Sequence, residues 1–269
     1  MSMLIREFER QERRVLGALR CVDATTGMAI ADRLQVVLED ASMTRNRSGL
    51  YVIVSAAELP DHEPAFAEAP YEPDIGSVTV RGSIRDPQGR YLPRLISFEL
   101  PRDALPANAA SAGSLFTPID VALYPASVAP LGSNWSVLRV SVVENASGDA
   151  LGGVLLRVMQ GTKVLARGLS DWRGEALVTV PGVPVTTWSE DPHAVIVKEI
   201  NASLEVIFDA TAGTRLAMDA VRAGRPPAAQ TLVNPDVLED ERLTLAHAAQ
   251  AVVLAAGRTQ TVTFRLALP

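Results

Sequence analysis

The sequence predicts a mainly β protein composed of two tandem β-sandwich domains, with a short N-terminal helix and a short helical insertion in the second domain. Two observations predict this fold class. Threonine, valine, glycine and proline are spread along the chain in short runs, the pattern of strands joined by turns. A strand-turn-strand unit also occurs twice. The chain has 269 residues, which is room for two domains of about 100–150 residues each.

The repeated unit begins with a strand and an acidic turn. The segment Val22–Ile30, VDATTGMAI, aligns without a gap on Val143–Leu151, VENASGDAL. Each is predicted to be a strand, a turn that contains glycine, and an apolar return. The alternating apolar residues before each turn also correspond, and we expect them to face a core.

Two further matches follow in the same order. Asn46–Gly49 and the strand after it correspond to Asp171–Gly174 and its following strand. Ile96–Leu100 corresponds to Val262–Leu266, and each is predicted to close its copy. Three matches in one order predict an internal duplication.

These matches divide the chain into four parts. Residues 1–14 are predicted to form a helix, because glutamate and arginine occur there at favourable helical spacing. The first sandwich domain is assigned to 15–103 and the second to 135–269. The stretch 104–134, rich in proline and alanine, is predicted to be a connector that packs on a sandwich.

The second domain contains a signal for a helix start. Asn234 stands before Pro235 and is followed by acidic residues, which is typical of a capped first turn and predicts the helical insertion. After it, Val252–Leu254 and Thr261–Leu266 are predicted to pair as a closing hairpin across a turn that contains glycine.

The turns of the second copy resemble those of a known family. Glu144–Val154, ENASGDALGGV, followed by a strand and by Leu169–Ala176, LSDWRGEA, is similar to the bacterial carboxypeptidase regulatory-like domains. In that family two such turns mark an open β-sandwich similar to transthyretin. The similarity covers Val137–Val180, and Leu16–Val54 repeats it more weakly. The usual proline of the first turn is an alanine here, and Asn46 replaces an aspartate. The resemblance implies two transthyretin-like or Ig-like sandwiches in tandem.

This resemblance also implies a class of function. Domains of the family usually accompany a functional neighbour and rarely act as enzymes, which implies a spacer, adhesion or docking module. In architecture, tandem sandwiches also resemble accessory proteins of phage-tail-like contractile injection particles, which assemble in the cytoplasm. The resulting expectation is a non-catalytic structural or adaptor protein whose partners are other proteins, a larger particle or further copies of itself.

Charge and cysteine content exclude other classes. The net charge is −6 and basic residues form no dense cluster, which disfavours nucleic acid as a partner. Cys21 is the one cysteine, so no intramolecular disulfide forms, and its inward-facing position predicts a buried thiol. The sequence contains neither a secretion signal nor a segment long enough for a membrane span, which predicts a protein that is cytoplasmic at synthesis and then enters a particle if the second resemblance holds.

Residues that could carry chemistry are few. His62, His193 and His247 are well separated, and each is interpreted as a surface, loop or packing residue without a second ligand at site spacing. Glu239–Glu241 lacks the spaced oxygen ligands and central glycine of a calcium loop and is typical of an acidic helix start. We therefore predict no catalytic residue, cofactor or metal ligand.

Four residues are candidates for partner contacts. Trp172 falls in a tight turn, where an indole either caps the sandwich or contacts a partner, and Trp188 is the second candidate. Arg6 and Arg10 lie on the predicted N-terminal helix, interpreted as a docking element. Edge strands are further expected sites. The alternative function is a carbohydrate-binding or other ligand-binding module with Trp172, Trp188 and Tyr51 as stacking surfaces.

Overall fold

The computed structural model describes residues 15–59, 74–184, 199–228 and 232–268, and this part of the chain is mainly β, as predicted. It contains sixteen strands, a 3-10 turn at Pro106–Asn108 and two short helices, α1 (Met218–Arg222) and α2 (Pro235–Asp240). The strands are β1 (Gly17–Asp23), β2 (Gln35–Leu38), β3 (Ala41–Arg45), β4 (Tyr51–Ala56), β5 (Val78–Arg85), β6 (Arg94–Leu100), β7 (Ile119–Leu123), β8 (Ser136–Glu144), β9 (Ala150–Gly152), β10 (Leu155–Gln160), β11 (Lys163–Leu169), β12 (Glu175–Val180), β13 (Ile200–Phe208), β14 (Thr214–Leu216), β15 (Ala246–Leu254) and β16 (Thr259–Leu266).

Four sheets are formed by these described strands. In the N-terminal half, one sheet has the order β3-β4-β1-β7 and another the order β2-β5-β6. In the C-terminal half, one sheet has the order β11-β10-β13-β15. The other has the order β12-β8-β9-β14, with β16 also paired with β8.

The chain divides into two compact units that interleave along the sequence. The described residues of the first unit are 15–20, 38–59, 74–81 and 97–120. Those of the second unit are 21–37, 82–96, 121–184, 199–228 and 232–268. All strands from β8 to β16 therefore belong to the second unit.

The two acidic turns that match in sequence have the same hydrogen-bond pattern. The amide of Gly27 donates to the carbonyl of Asp23 at 2.8 Å, and the amide of Gly148 donates to the carbonyl of Glu144 at 3.0 Å. Both glycines have positive φ angles, 69° and 75°, a conformation that glycine adopts without a steric penalty. The sequence match therefore reflects a shared turn geometry.

The second pair of matched turns is also equivalent. Gly49 donates to the carbonyl of Asn46 at 3.1 Å, and Gly174 donates to that of Asp171 at 2.9 Å. The side-chain oxygen of Asn46 or Asp171 accepts a hydrogen bond from the amide four residues later, at 2.9 and 3.1 Å. Asparagine can replace aspartate here because the turn requires only an acceptor oxygen.

The strands that flank these turns pair in the same register. In the antiparallel pair β1 and β4, Leu19 lies opposite Tyr51. In the antiparallel pair β8 and β12, Val140 lies opposite Ala176. Leu19 corresponds to Val140 in the sequence alignment and Tyr51 corresponds to Ala176, so the two copies build their first strand pair alike.

The strands predicted to close the two copies are not equivalent, and that prediction is wrong. β6 pairs with β5, whereas β16 pairs in parallel with β8. The position beside β1 belongs to β7, which comes from the segment assigned to the connector. In the first copy the amide of Ala24 donates to the carbonyl of Leu123 at 3.0 Å. The corresponding hydrogen bond in the second copy runs from the amide of Asn145 to the carbonyl of Leu266 at 2.8 Å. Alternating apolar residues specify a buried face and not the neighbouring strand.

The predicted closing hairpin is also wrong, because β15 and β16 belong to different sheets. The turn at 255–258 carries the chain from one sheet to the other. Val252 and Leu254 before the turn, and Val262 and Phe264 after it, face one hydrophobic cluster. The alternation is therefore correct for both strands although their pairing is not.

Two hydrophobic clusters contact the β11-β10-β13-β15 sheet. Leu156 and Val206 belong to the larger cluster, which also contains buried residues of β8, β12 and β16. Leu155 and Ile207 belong to the smaller one. Because successive residues of a strand point to opposite faces, the clusters lie on the two faces of this sheet. This explains why the first four residues of β10 are buried in succession and not in alternation, Arg157 among them.

The predicted helical insertion is confirmed as α2. The side chain of Asn234 accepts a hydrogen bond from the amide of Asp236 at 3.2 Å, and Pro235 is the first helical residue. Leu238 of α2 is buried in the smaller cluster. The predicted N-terminal helix, with Arg6 and Arg10, lies outside the described residues. Neither α1 nor α2, the helices of the described part, is long and apolar enough to cross a membrane.

Candidate functional site: an exposed edge strand

β15 is an outer strand of its sheet. Its nine residues pair with β13 from Ala246, opposite Phe208, to Leu254, opposite Ile200, with no shift in register. No strand in the described part of the chain pairs with its other side. The backbone amides and carbonyls along that side are therefore a template for another strand.

The edge of β15 lacks the features by which proteins usually protect an edge strand. Its sequence, AHAAQAVVL, contains no acidic residue, lysine, arginine or proline. The opposite edge of the same sheet, β11, carries Lys163 and Arg167, and its pairing with β10 is irregular between Val158 and Met159. Charges and irregular pairing discourage strand addition, so only one edge of this sheet is protected in this way.

The core-facing side chains of β15 also leave its middle accessible. Val252 and Leu254 are buried, and Ala246 and Ala248 pack against the larger cluster. Gln250 occupies the same face of the strand by alternation, yet it is exposed. The space beside Gln250, next to the hydrophobic cluster, is therefore accessible to solvent.

On the other face of β15 the exposed side chains in the middle of the strand are small. Ala249 and Ala251 are exposed, as is His247. The exposure of His247 agrees with its interpretation as a surface residue, and its Nδ1 lies 2.9 Å from the carbonyl oxygen of Leu245. Small side chains on this face present little steric hindrance to an added strand.

α2 is held on the same sheet, over β10, β11 and β13, by charged groups. Nε and Nη2 of Arg167 each donate to the carboxylate of Glu239 at 2.7 Å, and Arg157 donates to Glu205 at 2.7 Å and lies 3.3 Å from Glu239. Burial acts to raise the pKa of Glu239, but the hydrogen bonds and charge of Arg167, followed by the charge of Arg157, leave that pKa below its ordinary value. Glu239 is thus part of an ion-pair network that fixes α2.

A second attachment of α2 uses a fully buried arginine that our sequence reasoning missed. Arg94 is 0% exposed. It donates to the carbonyl of Ala122 at 2.8 Å, to the side chain of Asn234 at 3.2 Å and to the carboxylate of Asp236. Arg94 begins the alternating buried row of β6, and this inward position of a charged residue was the signal available in the sequence.

Trp172 is partly exposed, at the turn that the sequence singled out. The guanidinium of Arg173 lies 6.0 Å from its ring centroid and is bonded to the carboxylate of Asp171 at 2.7 and 3.0 Å. The groove beside Trp172 has a free volume of about 30 Å³, room for one or two water molecules, and is too small to enclose a sugar ring. Its lining includes Leu92, Pro93, Ser170 and Thr214.

The remaining sequence candidates have different positions. Tyr51 is 5% exposed, so it cannot act as a stacking surface, and that part of the alternative is wrong. Cys21 is buried, as predicted. Trp188, His62 and His193 lie outside the described residues. Within the described ranges, no three histidine, cysteine, aspartate or glutamate side chains are grouped so that they could hold a metal ion.

Comparison with known proteins assigns no family. The sequence matches no protein-family model, and no curated protein matches it. The resemblance to carboxypeptidase regulatory-like domains therefore stays a prediction from the turns.

Proposed function

We propose that the protein is a non-catalytic structural or adaptor protein, built from two related β-sandwich domains, that joins other proteins in a larger assembly. One observation carries the proposal: the nine-residue edge of β15 has no charged residue and no proline, and its pairing with β13 is free of irregularity. Such an edge favours addition of a partner's strand.

The surroundings of the edge support a role in binding. β15 is paired with β13 along its whole length, and both faces of the sheet contact a hydrophobic cluster. Extensive packing of this kind gives a rigid frame, so a partner strand would find the backbone groups already aligned. The protected edge at β11 directs such a partner to one side of the sheet.

The two-domain part of the proposal has separate support. The matched turns share their hydrogen bonds, and the matched strand pairs share their register. The shared turns and strand pairs favour a duplication. The apolar residues between the two C-terminal sheets favour a sandwich.

Affinity purification from the native cells tests the proposal. We compare tagged wild-type protein with Gln250→Lys, which adds a charge at the exposed core-facing position of the edge, and with Gln88→Lys, a control at an exposed turn residue. We expect wild type and Gln88→Lys to recover the same proteins and Gln250→Lys to lose them. Equal recovery of partners by all three proteins would show that β15 is not the contact.

Sedimentation of the same lysates tests membership of a particle such as a contractile one. We expect the wild-type chain to sediment with large assemblies. A chain that remains monomeric in every fraction and recovers no partner would contradict the proposed function as a whole.

A further inference from the structure

The β15 edge restricts what can bind to it. Its backbone amides and carbonyls recur along nine residues, about 30 Å at the usual rise per residue. Only an extended polypeptide presents complementary groups at that spacing along the whole row. The occupant is therefore a strand.

The direction of the added strand follows from the sheet. β10 is antiparallel to β11 and to β13, and β13 is antiparallel to β15. Antiparallel pairing is slightly more stable per residue than parallel pairing. An antiparallel newcomer has its C-terminal end beside Ala246 and its N-terminal end beside Leu254.

The side chains of β15 indicate the character of that strand. Val252 and Leu254 are buried at one end of the core-facing row, whereas Gln250 in the middle is exposed. Apolar residues in the N-terminal half of the newcomer would extend the buried row, and polar residues would follow beside Gln250.

Charge distinguishes the two ends of the edge. Asp240 and Glu241 are exposed just before β15, and the described part of the chain provides neither with an ion pair. The carboxylates of Asp240 and Glu241 and the guanidinium of Arg242 together give this end a net negative charge. At the other end, Glu199 and Arg258 form a pair at 3.2 Å. A basic C-terminal end on the newcomer complements this arrangement.

We propose that β15 binds an extended segment of a partner protein, with alternating apolar residues and basic residues at its C-terminal end, as the fifth strand of its sheet. The inference rests on the proposed function and names the chemistry of the partner. A second copy of the chain is disfavoured because each copy carries a net charge of −6.

Fluorescent probe peptides test the inference on the full-length protein. The first alternates valine and threonine over about ten residues, the length of β15, and ends in two lysines. The second has the same composition with the lysines at its N-terminus. The third is the first peptide with alternate backbone nitrogens methylated, which removes donors.

We expect the first peptide to bind by fluorescence anisotropy, the second to bind several-fold more weakly, and the third not to bind. Gln250→Lys should weaken binding of the first peptide about tenfold or more, because a lysine in the middle of an edge strand discourages strand addition. Gln88→Lys should leave binding unchanged. Replacing Asp240 and Glu241 with their amides should abolish the preference for C-terminal lysines.

Four outcomes would overturn the inference. Binding that survives backbone methylation is not strand addition, and binding equal in wild type and Gln250→Lys is not at β15. A dimer in light scattering that Gln250→Lys makes monomeric identifies a second copy as the occupant. If no probe binds while partner recovery still depends on Gln250, this inference fails and the proposed function stands.

Discussion

Replacing Asp236 with asparagine should destabilise the protein far more than its exposure suggests. The side chain of Asp236 is 63% exposed, but it is bonded to the guanidinium of Arg94, whose side chain is 0% exposed. The matched control is Asp219→Asn, also in a short helix. Asp219 is 91% exposed and lies 3.6 Å from Arg222, itself 74% exposed.

The expected magnitude follows from what each substitution leaves behind. Removing one partner of a buried ion pair costs about 3–5 kcal/mol when the remaining charge is uncompensated. Arg94 keeps its hydrogen bonds to Ala122 and Asn234, and Asp236 loses little solvation on folding. We therefore expect a loss of about 2–3 kcal/mol for Asp236→Asn, and less than about 0.5 kcal/mol for Asp219→Asn.

Urea denaturation followed by tryptophan fluorescence measures both values, since Trp135 and Trp172 lie in the same unit as α2. The slope of the transition should not change, because the surface exposed on unfolding is the same. Adding Arg94→Met to Asp236→Asn should cost little more, because no buried charge is then left without a partner. Equal losses for Asp236→Asn and Asp219→Asn would refute the reasoning.

Three further predictions concern acid stability, turn geometry and the thiol. Burial raises the pKa of Glu239, but the combined effect of Arg167, Arg157 and Arg242 is stronger and lowers it. The resulting stabilisation of the folded state is complete at neutral pH. It is lost as the pH falls from about 4.5 through the lowered pKa. Unfolding free energies should therefore differ less between wild type and Glu239→Gln at about pH 3 than at pH 7, and a constant difference would contradict this. Gly174 and Gly148 share a φ of 75°, but an added Cβ would lie 2.5 Å from a backbone oxygen only at Gly174, so in urea Gly174→Ala should cost more than about 3 kcal/mol and Gly148→Ala about 1 kcal/mol. Equal costs would show that the close contact relaxes. Cys21 is 3% exposed and should react with a thiol reagent only as fast as the protein unfolds; rapid labelling of the native protein would contradict its burial.

The features that the sequence predicted correctly are local ones. The turns at Asp23 and Glu144 depend on a glycine and on acceptors within five residues, and the start of α2 depends on Asn234 and Pro235. Each of these signals lies within one turn of backbone, so neighbouring residues are sufficient to specify it.

The features that the sequence did not reveal depend on residues distant in the chain. Alternation in β6 and β16 marked a buried face, but the two strands pair with different neighbours. Arg94 finds Asn234 and Asp236 across a separation of more than a hundred residues. Neither relation has a local signature.

The candidate site shows the same division. The composition of β15, without charge or proline, can be read from the sequence, and so can the expectation that an edge strand binds a partner. Only the tertiary structure makes β15 an edge strand. β16 pairs with β8 in the other sheet, which leaves one side of β15 without a paired strand in the described chain. Local hydrogen bonds and backbone angles determine turns and strands, whereas the burial of two facing apolar surfaces decides which strands become neighbours.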